Sequence, residues 1–419
     1  MERCVVKTIY QVMLLLAAVP LVLGMVSAML ERSWISTPIL ATTAGILAGP
    51  AVAGWIQPQD WPHLHTILKE AARITIAVSV LGIAIRTPPE SWRRAARPTA
   101  LLLTLGMAGM WAMSSLVAWG GLGAGAATAL LIGAILTPTD PVVATSIVTG
   151  PFAEGILPDR LRSTLSLESG ANDGLGYLFV MLPLTVILER HDLDAARVAL
   201  ILFKEVLGAA LLGLAAGWLV AQTLKISDRH KLAEQHSFHG LTIALSLVAL
   251  ALARVVGVDD ILAAFSAGAG FCFFANRRED FEEQSVQETI SKLLTVPIFT
   301  LFGLAIPWGG WAGIGWPLLV LVGGILLLRR PPVVAALSPM LGAGLRRRDL
   351  MFAGWFAPIG VAAMFYSLDA AEKTGDMIYW HVASAMVAAS ILIHGVTAAP
   401  AVRRYRSASG GPGRSGGDS

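Results

Sequence analysis

The sequence predicts an all-α polytopic membrane protein of about thirteen transmembrane helices, and three observations predict it. Long apolar runs, each sufficient to cross about 30 Å of hydrocarbon, recur throughout the chain. Apolar residues make up 55% of the 419 residues and charged residues only 14%, where a soluble domain sits nearer about 45–50% and 25%. Mean hydropathy is +0.68. The basic residues, finally, fall in alternate loops rather than evenly.

In chain order the spans are 9–30, 35–56, 66–86, 98–119, 124–149, 161–188, 198–224, 237–256, 259–275, 288–307, 315–338, 350–369 and 378–400. Met1-Glu2-Arg3-Cys4-Val5-Val6-Lys7 before the first run resembles the start of a signal peptide. The run continues to Leu30, too long for a typical signal core and without a convincing cleavage site, so it reads as the first membrane helix. Arg86, Arg93, Arg94 and Arg97 follow the third span; Lys225, Arg229 and Lys231 follow the seventh; Arg277 and Arg278 follow the ninth. Arg346, Arg347 and Arg348 follow the eleventh, and Arg403, Arg404 and Arg406 close the last. Intervening loops such as Gly120–Gly123 and Pro307–Trp316 carry almost no basic residues. The positive-inside rule therefore puts the N-terminus outside and the C-terminus in the cytoplasm of a cell (inner or plasma) membrane, which requires an odd number of spans. Arg254 and Lys204, near span ends, are expected to snorkel to the interface.

The transmembrane domain covers 1–406, and the Gly/Ser-rich residues 407–419 read as a disordered cytoplasmic tail. Loops this short leave the chemistry to the bilayer interior. A net charge of +3 does not point to nucleic acid, and Cys4 and Cys272 stand too far apart, without a motif, to indicate a disulfide framework or a metal site. No Walker A signature occurs, so neither a nucleotide nor another cofactor is expected, and the chain does not read as an enzyme.

Two neighbouring spans carry what apolar spans should not. The fifth, Ala124–Thr149, holds Thr137-Pro138-Thr139-Asp140-Pro141; the sixth holds Glu168-Ser169-Gly170-Ala171-Asn172-Asp173-Gly174. A carboxylate at membrane depth costs roughly 2.5–3.5 kcal/mol on insertion scales, and here three stand within about 35 residues, so they define the candidate site. Pro138 and Pro141 break the fifth span, and Pro358, in Gly354-Trp355-Phe356-Ala357-Pro358-Ile359-Gly360, breaks the twelfth. If spans one to six repeat as eight to thirteen in opposite orientation, the two breaks are equivalent. Paired interrupted helices of this kind point to a transporter's binding site.

A low-dielectric setting penalises the ionised form of a buried carboxylate. Asp173, among Gly170, Gly174 and Gly176, can thus hold a proton or, once ionised, a hard monovalent cation with oxygen co-ligands, but not both readily. Competition for one carboxylate, with alternating exposure, suffices for cation/proton exchange. Asp140, the Thr139 hydroxyl and carbonyls freed by Pro138 and Pro141 are candidates for the remaining oxygens, and half-helix C-terminal ends would add partial negative charge. The plainer alternative is structural: Asp140 and Asp173 paired with arginine or capping broken helices. Glu168 and Arg330 would neutralise one another as a buried pair, though Arg329 competes for that role. Asn172 is placed to hold the backbone geometry of the site. His394 reads either as a proton relay or pH sensor, or as a satisfied packing histidine. An intramembrane hydrolase built on Ser169 and His394 leaves Glu168, Asn172 and Asp173 without a role.

Thr139-Asp140-Pro141-Val142 followed by Glu168-Ser169-x-x-Asn172-Asp173-Gly174 resembles the paired signature of monovalent cation/proton antiporters of the bacterial NhaP and eukaryotic sodium/proton exchanger type. Ile261-Leu262-Ala263-Ala264-Phe265, Arg330-Pro331 and Ser390-Ile391-Leu392-Ile393-His394-Gly395-Val396-Thr397 look like the family too, so the similarity spans roughly 35–406. The resemblance implies the sodium/proton antiporter fold, with inverted repeats and two discontinuous crossing helices, a homodimer, and an elevator-like motion. It implies that Asp173 binds ion and proton, that Thr139, Asp140 and Ser169 join the coordination sphere of the transported monovalent cation, that Asn172 stabilises the site, and that Glu168 pairs with Arg330. It also implies electroneutral exchange of Na⁺ (or Li⁺ or K⁺) for H⁺, since an Asn-Asp pair stands where electrogenic relatives carry Asp-Asp. A K⁺/H⁺ exchanger and a transport-inactive ion or pH sensor are the alternatives on the same scaffold. The chain differs from the family at Ala357 and Ile359, where Gly and Arg are usual, and offers only Thr75 and Ser79 in the third span, where some relatives place an acid.

Overall fold

An apolar segment in hydrocarbon has few ways to satisfy its backbone, and helix is the one this chain adopts. A computed structural model describes residues 2–32, 35–57, 61, 63–140, 156–189, 195–230, 238–275, 281–341 and 345–407, and no strand occurs among the described residues. Pro141, Val142, Lys231, Arg277, Arg278 and the predicted tail from 408 onward lie outside them.

The chain begins with α1 (Glu2–Met25), α2 (Ser27–Arg32), α3 (Thr37–Ala48) and α4 (Leu64–Arg86). The amphipathic α5 (Pro89–Leu101) runs through a π-helical turn, Leu102–Gly106, into α6 (Met107–Leu122). Gly123, with φ +61°, ends α6 in the left-handed conformation that glycine adopts without a side-chain clash. Then follow α7 (Ala126–Ile135), α8 (Asp159–Glu189), α9 (Ala195–Ile201), a second π-helical stretch, Leu202–Gly208, and α10 (Ala209–His230). The second half comprises α11 (Phe238–Val256), α12 (Asp260–Phe274), α13 (Phe281–Leu304) and α14 (Trp308–Ile314). It continues with α15 (Trp316–Leu328), α16 (Pro331–Leu341), α17 (Arg347–Trp355), α18 (Val361–Thr374) and α19 (Ile378–Ser407).

Every predicted span carries a helix. Among the described residues, five stretches are long and apolar enough to cross a bilayer unaided: Pro89–Leu122, Asp159–Leu188, Val198–Ser227, Trp316–Leu341 and Ile378–Tyr405. A sixth is the bent pair Leu293–Leu304 and Trp308–Ile314, turned by 60°. The short α14 was not foreseen, because Pro307–Trp316 reads as a plain loop. The predicted interruptions are present: α7 stops after 10 residues, and α17 and α18 are separated by the extended Phe356–Gly360. At 1.5 Å per residue, α7 reaches only about half of the hydrocarbon thickness. The chain is a multi-pass membrane protein.

Glycines set the closest helix packing. A Cβ on Gly213 of α10 would lie 2.2 Å from the Ala263 carbonyl of α12, and one on Gly217 would lie 2.0 Å from that of Ala267. This is small-residue spacing at four, which lets two backbones touch without help from hydrophobic segregation. Gly45 on α3 and Gly303 on α13 do the same for each other: a Cβ would meet the Thr300 carbonyl at 2.1 Å or the Thr42 carbonyl at 2.2 Å. Charged side chains tie α4 to its neighbours at its N-terminal end. Lys69 bonds Glu372, Arg73 lies 3.3 Å from Glu70 and 3.6 Å from Asp260, and its guanidinium sits 4.7 Å above the Phe365 ring. Arg254, expected to snorkel to the interface, is about half exposed and lies 4.0 Å from Asp260.

A candidate ion-binding site where two interrupted helices meet

An interrupted helix in a membrane must find partners for the backbone groups it frees. Here the two breaks supply partners for each other. The Asp140 N–H donates to the Pro358 carbonyl at 2.8 Å, and the Val361 N–H, at the start of α18, donates to Asp140 Oδ2 at 2.6 Å. A carboxylate at a helix N-terminus meets both unpaired amides and the positive end of the helix dipole. The Ile359 N–H donates to Ser390 Oγ of α19 at 2.7 Å. Gly360 has no room for a side chain, since a Cβ would fall 1.7 Å from Asp140 Oδ2.

The carbonyl ends belong to Arg329. Its Nη1 donates to the carbonyls of Leu136 at 2.7 Å, Thr137 at 3.1 Å and Pro138 at 3.1 Å, and its Nη2 donates to the Ala357 carbonyl. The carbonyls expected from the sequence to face a cation therefore accept from a guanidinium instead. The Thr137 hydroxyl turns back to the Gly133 carbonyl at 2.8 Å.

Helix α8 carries the rest, and small residues bring it close. A Cβ on Gly174 would stand 2.7 Å from Leu262 Cα, one on Gly170 2.9 Å from the Phe265 ring, and one on Gly176 2.5 Å from the Pro138 ring. Asn172 is fully engaged. Its Oδ1 accepts the Thr139 N–H at 3.1 Å, and its Nδ2 donates to Thr139 Oγ1 at 2.6 Å and to Glu168 Oε1 at 2.9 Å. The Thr139 and Ser169 hydroxyls lie 3.1 Å apart. Glu168 faces Arg330, not Arg329, in two bonds of 2.8 and 2.9 Å, and Arg330 Nε donates to the Ala353 carbonyl at 2.8 Å.

Asp173 stands apart from this network. It is 0% exposed, and neither carboxylate oxygen has a hydrogen-bond partner. The Tyr366 hydroxyl bonds its backbone carbonyl, not its side chain. Asp140 and Glu168 are close enough to act on it electrostatically. Of the two polar groups expected from the third span, Thr75 turns to the Ala71 carbonyl, whereas the buried Ser79 Oγ has no partner. His394 is satisfied on both sides: Nε2 lies 3.1 Å from the Trp355 carbonyl, and Nδ1 lies 3.1 Å from Ser390 Oγ and 3.0 Å from the Ser390 carbonyl. Among the described residues no group of three His, Cys, Asp or Glu side chains is placed to hold a metal. What the crossing offers is one unengaged carboxylate beside two hydroxyls, chemistry suited to a proton or a hard monovalent cation.

The profile of the transmembrane sodium/hydrogen exchanger family matches residues 14–404. The chain belongs to that family. It is 29% identical over 347 residues to a Na⁺/H⁺ antiporter of Saccharomyces cerevisiae, covering 81% of this chain but only 35% of that protein. A Na⁺/H⁺ antiporter of Schizosaccharomyces pombe is 28% identical over 398 residues, 87% of this chain and 84% of the relative. This exchanger-family chain thus spans about a third of the budding-yeast relative's length. Its fold resembles that of the sodium proton antiporter MjNhaP1 from Methanocaldococcus jannaschii, with a TM-score of 0.72 over 96% of this chain and 99% of that one, at 18% identity. The likeness is one of fold.

Arg329 and Ser390 are the members of the crossing to which sequence reasoning gave no role of their own. Arg329 entered only as a rival partner for Glu168, and Ser390 only as the first residue of a family-like stretch.

Proposed function

We propose that this protein is a secondary antiporter that exchanges a monovalent cation, Na⁺ or else Li⁺ or K⁺, for a proton, electroneutrally, with Asp173 as the group for which the two compete. The observation that carries the reading is the Asp173 carboxylate, wholly buried with both oxygens unpartnered, in a chain of the sodium/hydrogen exchanger family. An ionised carboxylate there needs a cation, and a neutral one needs a proton. Thr139 and Ser169 would lend hydroxyl oxygens, Asp140 a second carboxylate, and Asn172 would hold Thr139 against α8. Glu168 and Arg330 would keep the frame neutral. The protein would work as a homodimer in a cell membrane, N-terminus outside and C-terminus in the cytoplasm, as the basic loops favour.

The test is flux in proteoliposomes that enclose a pH dye. With an acid interior, addition of Na⁺, Li⁺ or K⁺ outside is expected to collapse the gradient for at least one cation, and Asp173→Asn is expected to be silent. A wild type silent with every cation would overturn the exchange reading; ion binding without flux would favour a sensor.

A further inference from the structure

The two interruptions at the crossing are closed by the same device. The residue after each proline turns its N–H to a polar side chain of another helix. Thr139 donates to Asn172 Oδ1 of α8 at 3.1 Å, and Ile359 donates to Ser390 Oγ of α19 at 2.7 Å. Asn172 stands beside Asp173 in the acid-bearing motif. Ser390 lies in a different span, is fully buried, and does for the second break what Asn172 does for the first.

Ser390 does not act alone. His394, one turn further along α19 and also buried, places Nδ1 3.1 Å from Ser390 Oγ and Nε2 3.1 Å from the Trp355 carbonyl. A carbonyl only accepts, so the hydrogen is assigned to Nε2; in the neutral ring Nδ1 then accepts, and the Ser390 hydroxyl donates to it. One directed chain results, from Ile359 N–H to Ser390 O–H to His394 to Trp355 C=O. It starts at a backbone donor inside the interruption and ends on the last residue of α17, so two residues of α19 pin the break at two points. Bonds in such a chain strengthen one another in a low-dielectric setting. The segment so pinned bears the two backbone groups that fasten Asp140. They are the Pro358 carbonyl, which accepts the Asp140 N–H at 2.8 Å, and the Val361 N–H, which donates to Asp140 Oδ2 at 2.6 Å.

We infer that Ser390, with His394 behind it, is a positioning residue for cation binding: it sets the second interruption so that the Val361 amide holds the Asp140 carboxylate where the ion needs it. Neither residue touches the ion. This rests on the exchange reading above and adds to it a residue outside the two acid-bearing spans. His394 serves the chain as a neutral ring. A protonated ring would instead donate from Nδ1 to the Ser390 carbonyl at 3.0 Å, and would place a third positive charge at the small cavity it shares with Arg329 and Arg330.

The experiment measures the dependence of exchange on Na⁺, Li⁺ or K⁺ concentration in proteoliposomes, beside the thermal shift that the same cation gives the purified protein. Ser390→Ala leaves the Ile359 N–H unpaired, and the half-saturating cation concentration is expected to rise about 5–10-fold in both assays, with the maximal rate held within about 3-fold. Ser390→Thr restores the hydroxyl and is expected to return half-saturation to the wild-type value. His394→Gln keeps a donor for Trp355 without an ionisable ring, and its pH profile of exchange is expected to match the wild type.

A Ser390→Ala variant that unfolds at a lower temperature but half-saturates as the wild type does would make the serine purely structural and overturn the inference. So would a folded Ser390→Thr variant that binds cation no better than Ser390→Ala. A displaced pH profile for His394→Gln would make His394 a titrating group and overturn its positioning part. A wild type silent in flux overturns the exchange reading, while the thermal shifts still decide whether Ser390 governs binding; a wild type that no cation stabilises either overturns both.

Discussion

Glu168 and Arg330 meet fork to fork, Oε1 to Nη1 at 2.8 Å and Oε2 to Nη2 at 2.9 Å, each at most 2% exposed. Planar two-bond geometry is the strongest form of such a pair, and Asn172 and the Ala353 carbonyl occupy further positions on it. Removing one partner leaves the other charge buried alone. Glu168→Ala is therefore expected to destabilise the protein by about 3–5 kcal/mol, read from thermal or denaturant unfolding in detergent. Exchanging the two residues is not expected to restore it, because an arginine at 168 would turn donors onto the Asn172 amide donor.

Asp173→Asn is expected to separate function from stability. No side-chain hydrogen bond is lost, since neither oxygen has a partner, and the variant no longer carries an ionisable group in a buried setting. Its unfolding midpoint should be no lower than that of the wild type while exchange is abolished. A large fall in the midpoint would assign Asp173 a structural role.

Asn172→Ala removes three hydrogen bonds at once and leaves the Thr139 N–H without its acceptor. A buried group left unpaired costs about 1–3 kcal/mol. The expected result is a lower unfolding temperature together with weaker stabilisation by added cation, measured as a thermal shift across a Na⁺ titration.

Gly174→Ala and Gly120→Ala form a matched pair. At Gly174 the new Cβ lies 2.7 Å from Leu262 Cα, backbone that cannot swing aside; at Gly120 nothing lies within 4 Å. Overpacking at Gly174 is expected to cost about 1–3 kcal/mol and to slow exchange by pushing α8 off α12. Gly120→Ala is expected to be neutral or to gain up to about 1 kcal/mol of helix propensity. Unfolding midpoints of the two variants, with flux for the first, check the contrast.

Much of this architecture is legible in the chain because a bilayer leaves few alternatives. Apolar length announces helices, Pro138 and Pro358 announce the interruptions, and acids at 140, 168 and 173 announce the site, since an intramembrane carboxylate is too costly to be incidental. What is not legible is which group answers which. Nothing local to Asp140 shows that its carboxylate caps a helix that begins 221 positions later. Nothing in Arg329-Arg330 says that one turns to Glu168 and the other to four carbonyls, for adjacent residues on a bend diverge by whatever angle packing sets. That the carbonyls at the first break accept from Arg329 is hidden for the same reason: their donor arrives from a distant span.

The bonds that join the two interruptions have a mechanical consequence. A broken helix invites the picture of a hinge, with freed backbone as the pliant element. Here Asp140 fastens both to the Pro358 carbonyl and to the Val361 amide, and Arg329 spans from 136–138 to 357. Bending either break would shear several buried hydrogen bonds, each of which is costly to leave unmade in a low-dielectric setting. The crossing is therefore a weld rather than a joint. A motion of the kind the exchange proposal calls for, carrying Asp173 between the two faces of the membrane, is expected to move this block whole.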